Sequence, residues 1–67
     1  MFPEGTPLTR SQATKDRILD AARTLFASQG YDGTTVREVA ALAQANPALV
    51  IRYYGSKEAL FLAAAEF

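Results

Sequence analysis

Four side chains able to hold an anion fall within one short stretch, TTVREVAALAQANPALVIRYYGSK, which runs from Thr34 to Lys57. Arg37, Arg52 and Lys57 are cations, Tyr53 carries a phenol, and Glu38 is the one acid among them. Beside them stand a hydroxyl at Thr35, an amide at Asn46 and the small or apolar Pro47, Ala48 and Leu49. These groups bind and orient rather than make bonds. Small residues permit close approach to the base edges of a duplex, apolar ones can meet a thymine methyl, and a tyrosine hydroxyl can reach a phosphate.

The residues that would point to bond-making chemistry are missing. Without cysteine there is no disulfide framework or thiolate zinc site, and without histidine the usual nitrogen ligand and general base are gone. No paired carboxylates at a cleft and no glycine-rich phosphate loop stand out, so neither an enzyme nor a cofactor is expected.

At 67 residues the chain makes one small domain, burying about 60% of its unfolded surface. Its zero net charge is the strongest compositional argument against nucleic-acid binding, which draws on Lys and Arg. Distribution answers it. Arg10, Lys15, Arg17 and Arg23 face only Asp16 and Asp20 in their segment, and Glu4, Asp32, Glu58 and Glu66 lie outside both basic segments. One face can therefore be positive while the whole is neutral. The longest apolar run, Ala59 to Ala65, is far short of the roughly 20 residues that span a bilayer, and the amino terminus lacks the pattern of a secretory signal. No membrane partner is expected, and a cytoplasmic location is the default.

The elements that must position these groups are helical. Residues 1–14, with two prolines and a glycine but no apolar periodicity, predict a flexible arm whose Arg10 could reach a phosphate or a minor groove. Helix 1 is expected over about 15–29, capped by Thr14, with Ile18, Ala21, Ala22, Leu25 and Phe26 inward, Arg17 and Asp20 outward, and Gly30 as its stop. Tyr31 is expected to be buried against it. Helix 2, about 36–43, opens on a capping box, Thr35 with Glu38, and turns Val36, Val39, Ala40 and Ala43 inward. Arg37, near the positive end of that helix, suggests an external anion. Asn46-Pro47 starts a third helix, about 47–53, with Val50 and Tyr54 inward and Ala48, Leu49, Arg52 and Tyr53 around the rest. Ser56 caps a fourth helix from about Lys57, where free amides and the lysine offer a phosphate site. Helix 4 stops at Phe67 without a cap and with apolar Leu62 and Phe67 on other sides, which suggests a longer protein.

From Lys15 to Phe61 the chain resembles the amino-terminal domain of the tetracycline-repressor (TetR) family of transcriptional regulators. The resemblance lies in Ile18-Leu19-Asp20-Ala21-Ala22 with Leu25-Phe26 and Gly30-Tyr31, then Gly33-Thr34-Thr35-Val36-Arg37-Glu38-Val39-Ala40, then Pro47-Ala48-Leu49-Val50 and Arg52-Tyr53-Tyr54-Gly55-Ser56-Lys57-Glu58-Ala59-Leu60-Phe61. It implies an all-α, homeodomain-like fold for residues 15–67: three helices containing a helix-turn-helix, plus the start of a fourth. It also implies helix 3 in the major groove of double-stranded DNA, a palindromic operator, and a homodimer formed through a carboxyl-terminal domain that binds a small-molecule effector and is absent here. By position, Thr35 and Arg37 match residues that contact the backbone or a base; Pro47, Ala48 and Leu49 match base-facing ones; Tyr53 and Lys57 match phosphate-contacting ones. Asn46 and Arg52 complete the expected DNA-binding set. Two residues depart from the family. Gln44 replaces the usual turn glycine and would cost about 1 kcal/mol or more if held left-handed, leaving room for a different turn. Ile51 replaces a tyrosine whose hydroxyl meets phosphate, a bond isoleucine cannot make. The function implied is sequence-specific DNA binding by an effector-responsive repressor; the alternative from the residues alone is a small helical protein interaction module.

Overall fold

A computed structural model describes residues 10–65 of the chain, with side chains from residue 12 onward. Four helices follow one another: α1 (Arg10–Gln29), α2 (Val36–Ala43), α3 (Pro47–Tyr54) and α4 (Lys57–Ala65).

Thr14, Ile18, Ala22 and Phe26 recur every four residues along α1 and are all buried, with Ala21 beside them. This stripe corrects the expected start. Residues 10–14 belong to the helix rather than to an arm, and Thr14 lies inside the core face instead of capping it. A threonine after polar sequence looks like a cap, but this one sits one turn before Ile18 and shares its face. Residues 1–9 of the expected arm, and Phe67 at the other end, lie outside the described residues.

The chain leaves α1 through Gly30, whose φ of 79° suits a residue without Cβ and whose N–H donates to Phe26 O at 2.9 Å. At Gly33 an added Cβ would collide with the Gln29 carbonyl oxygen. Thr34 follows, fully buried, its hydroxyl within donating distance of the carbonyl oxygens of Gly30 (2.9 Å) and Leu25 (3.2 Å). The capping box of α2 is present in both directions: Thr35 Oγ1 accepts from the Glu38 amide at 3.1 Å, and the Glu38 carboxylate accepts from the Thr35 amide at 3.0 Å.

Gln44 ends α2 in the left-handed conformation, with φ 58° and ψ 45°. The amide of Ala45 donates to Ala40 O at 2.8 Å and that of Gln44 to Ala41 O at 3.1 Å, the paired bonds of a Schellman stop. The turn thus keeps its left-handed residue without a glycine. Asn46 Oδ1 then accepts from the Ala48 amide at 2.8 Å, Pro47 occupies the first helical position, and α3 runs to Gly55. Ser56 Oγ accepts from the Ala59 amide at 3.1 Å to begin α4.

Helix α1 is the common support, packed on α2 and α4, while α3 lies mainly against α2. The inward residues of α2, Val39, Ala40 and Ala43, are small enough for close helix approach. Ile18, Val39, Val50 and Leu60 are fully buried, each contributing about 1.5 to 3 kcal/mol by leaving water.

Candidate nucleic-acid interface

A rotation of about 100° per residue places Pro47, Ile51, Ala48 and Arg52 within one arc of about 140° on α3. All four are exposed, whereas Val50 opposite them is fully buried. Leu49 and Tyr53, expected on the outer face, lie off this arc and are half-buried, and Tyr53 packs against the core. Val50 closes the inner side as expected, but Tyr54 is only half-buried. Ile51, outside the expected DNA-binding set, is 43% exposed and shares the outer arc. Its spacing of four from Pro47 and three from Ala48 is the sequence signal for that place.

The outer arc holds no acid, and its arginine is free to act outward. Among the described residues neither Arg52 nor Arg37 has a hydrogen-bond or ion-pair partner, and both are exposed. Glu38, the acid of this segment, is drawn back to the start of α2, where it accepts from Thr35 N and from Gln29 Nε2 at 3.3 Å. A carboxylate there also meets the positive end of the helix dipole, so its charge is balanced locally. Thr35 and Asn46 spend their side-chain oxygens on helix caps and are exposed at the starts of α2 and α3.

Helix α1 steadies this surface from behind. Arg17 is exposed as expected, yet its Nε donates to Ala43 O at 3.1 Å, placing a cation at the negative end of α2 beside the turn. The Tyr54 hydroxyl donates to Lys15 O at 3.1 Å, tying the end of α3 to α1. Burial pushes the Tyr54 phenol above its usual value, Asp16 adds to the rise, and Arg23 opposes it.

At the start of α4 the Lys57 ammonium lies 4.2 Å from the centre of the Tyr31 ring. Tyr31 packs back on α1, stacking near-parallel on Phe26 at 6.0 Å, and meets the edge of Phe61 at 5.2 Å. Expected as a buried residue, it is 36% exposed, because one side of its ring supports the lysine instead of the core.

The family model for bacterial regulatory proteins of the tetR family matches residues 18–64, well over half of the chain. This chain belongs to the TetR family. The matched segment is the helix-turn-helix domain of these DNA-binding transcriptional regulators, with α2 and α3 as its two helices. Among relatives, the chain is 34% identical over 62 residues to the HTH-type transcriptional repressor NicS of Pseudomonas putida, covering 92% of this chain and 29% of that protein. It is 44% identical over 55 residues to the HTH-type transcriptional repressor SCO4008 of Streptomyces coelicolor, covering 82% and 29%. It is 38% identical over 47 residues to IcaR of Staphylococcus epidermidis, a negative transcriptional regulator of the biofilm operon icaADBC, covering 70% and 25%. The chain therefore spans less than a third of the length of these relatives. No solved structure matches. The family is one of regulators, not enzymes, and no helix among the described residues is long and apolar enough to cross a membrane.

Proposed function

We propose that this domain reads a palindromic operator as part of a homodimeric, effector-responsive repressor acting in the cytoplasm, with α3 in the major groove. The observation that carries the reading is the outer arc of α3, which offers Pro47, Ala48 and Arg52 to solvent without a single acid. A helix serving only as a solvated exterior normally carries Lys, Glu and Gln there. Pro47 and Ala48 let the backbone approach base edges, with Leu49 and Asn46 flanking them, and Arg37 reaches a base or the backbone from the second position of α2. Thr35, Arg52, Tyr53 and Lys57 fix the register on the sugar-phosphate backbone. Two of the relatives are named as transcriptional repressors and the third as a negative transcriptional regulator, which supports repression. Dimerisation and effector binding rest on the family resemblance and belong to chain beyond this domain. Two linked domains gain affinity that one domain on a half-site forgoes.

Selection of duplexes from random DNA by the full-length protein tests this. The expected product is an inverted repeat whose affinity falls as salt rises. Arg37→Ala should then lose about 1 to 3 kcal/mol on the selected duplex and less on unrelated DNA if it makes a bidentate base contact. Lys57→Ala should weaken all duplexes alike and reduce the salt slope by about one. Binding indifferent to salt, or equal losses from both substitutions on every duplex, would sink this division of roles.

A further inference from the structure

We infer that Tyr31 is a positioning residue for DNA binding: its ring, fixed between Phe26 and Phe61, holds the Lys57 ammonium ready for a backbone phosphate. The inference rests on the phosphate role proposed for Lys57 and extends it to a residue that touches no DNA itself.

Lys57 and Phe61 are four apart on α4 and so share a face, and Tyr31 from the turn between α1 and α2 packs against both. The three rings form a closed set. Phe26 stacks on Tyr31 at an interplanar angle of 10°, Phe61 meets Tyr31 edge-on at 82°, and Phe26 and Phe61 meet edge-on at 5.0 Å. Phe26 is buried, so this platform is rooted in the core rather than free to swing. The ammonium at 4.2 Å lies within the range where the ring quadrupole attracts a cation. A lysine is otherwise a flexible point charge on four rotatable bonds, and ordering it on binding costs affinity. The ring occupies one side of the ammonium; the remaining N–H donors stay available to an anion.

The experiment uses the full-length protein and a duplex that the wild type selects from random DNA, titrated across a range of salt. Tyr31→Leu is expected to weaken binding about three- to five-fold, and Tyr31→Phe to stay within about two-fold, since a phenyl ring also attracts the cation. Adding Tyr31→Leu to Lys57→Ala should bring no further loss. A general folding defect would weaken both backgrounds equally, and that result overturns the inference. Tighter binding by Tyr31→Leu also overturns it, because the ring would then be withholding the cation. Proton NMR of the unbound wild type gives an independent reading, free of any folding problem in the variants. The ring current should move the Lys57 ε-methylene protons upfield, and their appearance at an ordinary lysine position counts against the proposal. If the wild type selects no duplex, the DNA-binding reading falls and takes this inference with it. If the wild type binds and Tyr31→Leu binds identically, the inference falls alone.

Discussion

Between α1 and α2 the backbone turns left-handed at Gly30; between α2 and α3 it does so at Gln44. The first turn is knitted by side chains. Thr34 reaches back to two carbonyls, Gln29 Nε2 donates to Gly33 O at 2.9 Å, and Gly33 leaves no room for a methyl group. The second is made almost wholly of main chain: the Schellman pair at Gln44 and Ala45, with Arg17 supporting Ala43 O from outside. One connection is specified by residue identity and the other by backbone geometry, so they should tolerate substitution very differently. That asymmetry suits their places. The first turn joins the supporting helix to the DNA-binding unit, whereas the second lies inside that unit and fixes α3 relative to α2.

The sharpest way to break this contrast is Gly33→Ala, expected to destabilise by about 2 to 3 kcal/mol because the new methyl drives the backbone away from Gln29. Urea unfolding would register it as a lower midpoint, and an unchanged midpoint would mean the first turn is more yielding than its contacts suggest. Thr34→Val keeps the shape but removes the buried hydroxyl, leaving the Leu25 and Gly30 carbonyl oxygens without that donor, for an expected loss of about 1 to 2 kcal/mol. The smallest effect has the opposite sign. Gln44→Gly relieves a left-handed conformation disfavoured for residues with a Cβ, offset partly by the extra freedom of glycine in the unfolded chain, and should stabilise by about 0.5 to 1 kcal/mol. A thermal melt shifted downward by that change would show that the Gln44 side chain contributes something the backbone bonds do not.

What was legible in the sequence follows the same division between local and distant causes. The Thr35 and Glu38 box, Asn46 with Pro47, and Ser56 before α4 are interactions within a few residues, so their spelling alone gives their geometry. The helix-turn-helix order was legible for that reason, and because inward residues such as Val39, Ala40 and Val50 obey helical spacing. The outer set of α3 was blurred. Leu49 and Tyr53 are half-buried and Ile51 is exposed, since the position of α3 against α2 and α4, not its own periodicity, decides where the edge of burial falls. Thr14 and Thr34 were hidden for a related reason. A hydroxyl near a helix end looks like a cap or a turn residue, and only tertiary contacts show that these two are enclosed.

The two arginines that α1 turns toward its neighbours have a consequence for the ionic side of recognition. Arg17 Nε is committed to Ala43 O, and Arg23 Nε donates to Ala64 O at 3.2 Å, near the carboxyl end of α4. A guanidinium held at a helix end displaces few counterions from a duplex, so the seven basic residues of the chain overstate what it lends to DNA. Of the other five, Arg37, Arg52 and Lys57 are the cations of the proposed DNA-binding set, and the expected salt dependence counts those three. At about 0.9 ions released per phosphate contact, each domain should account for a slope near three in a logarithmic plot of affinity against salt, and two domains on one operator for about twice that.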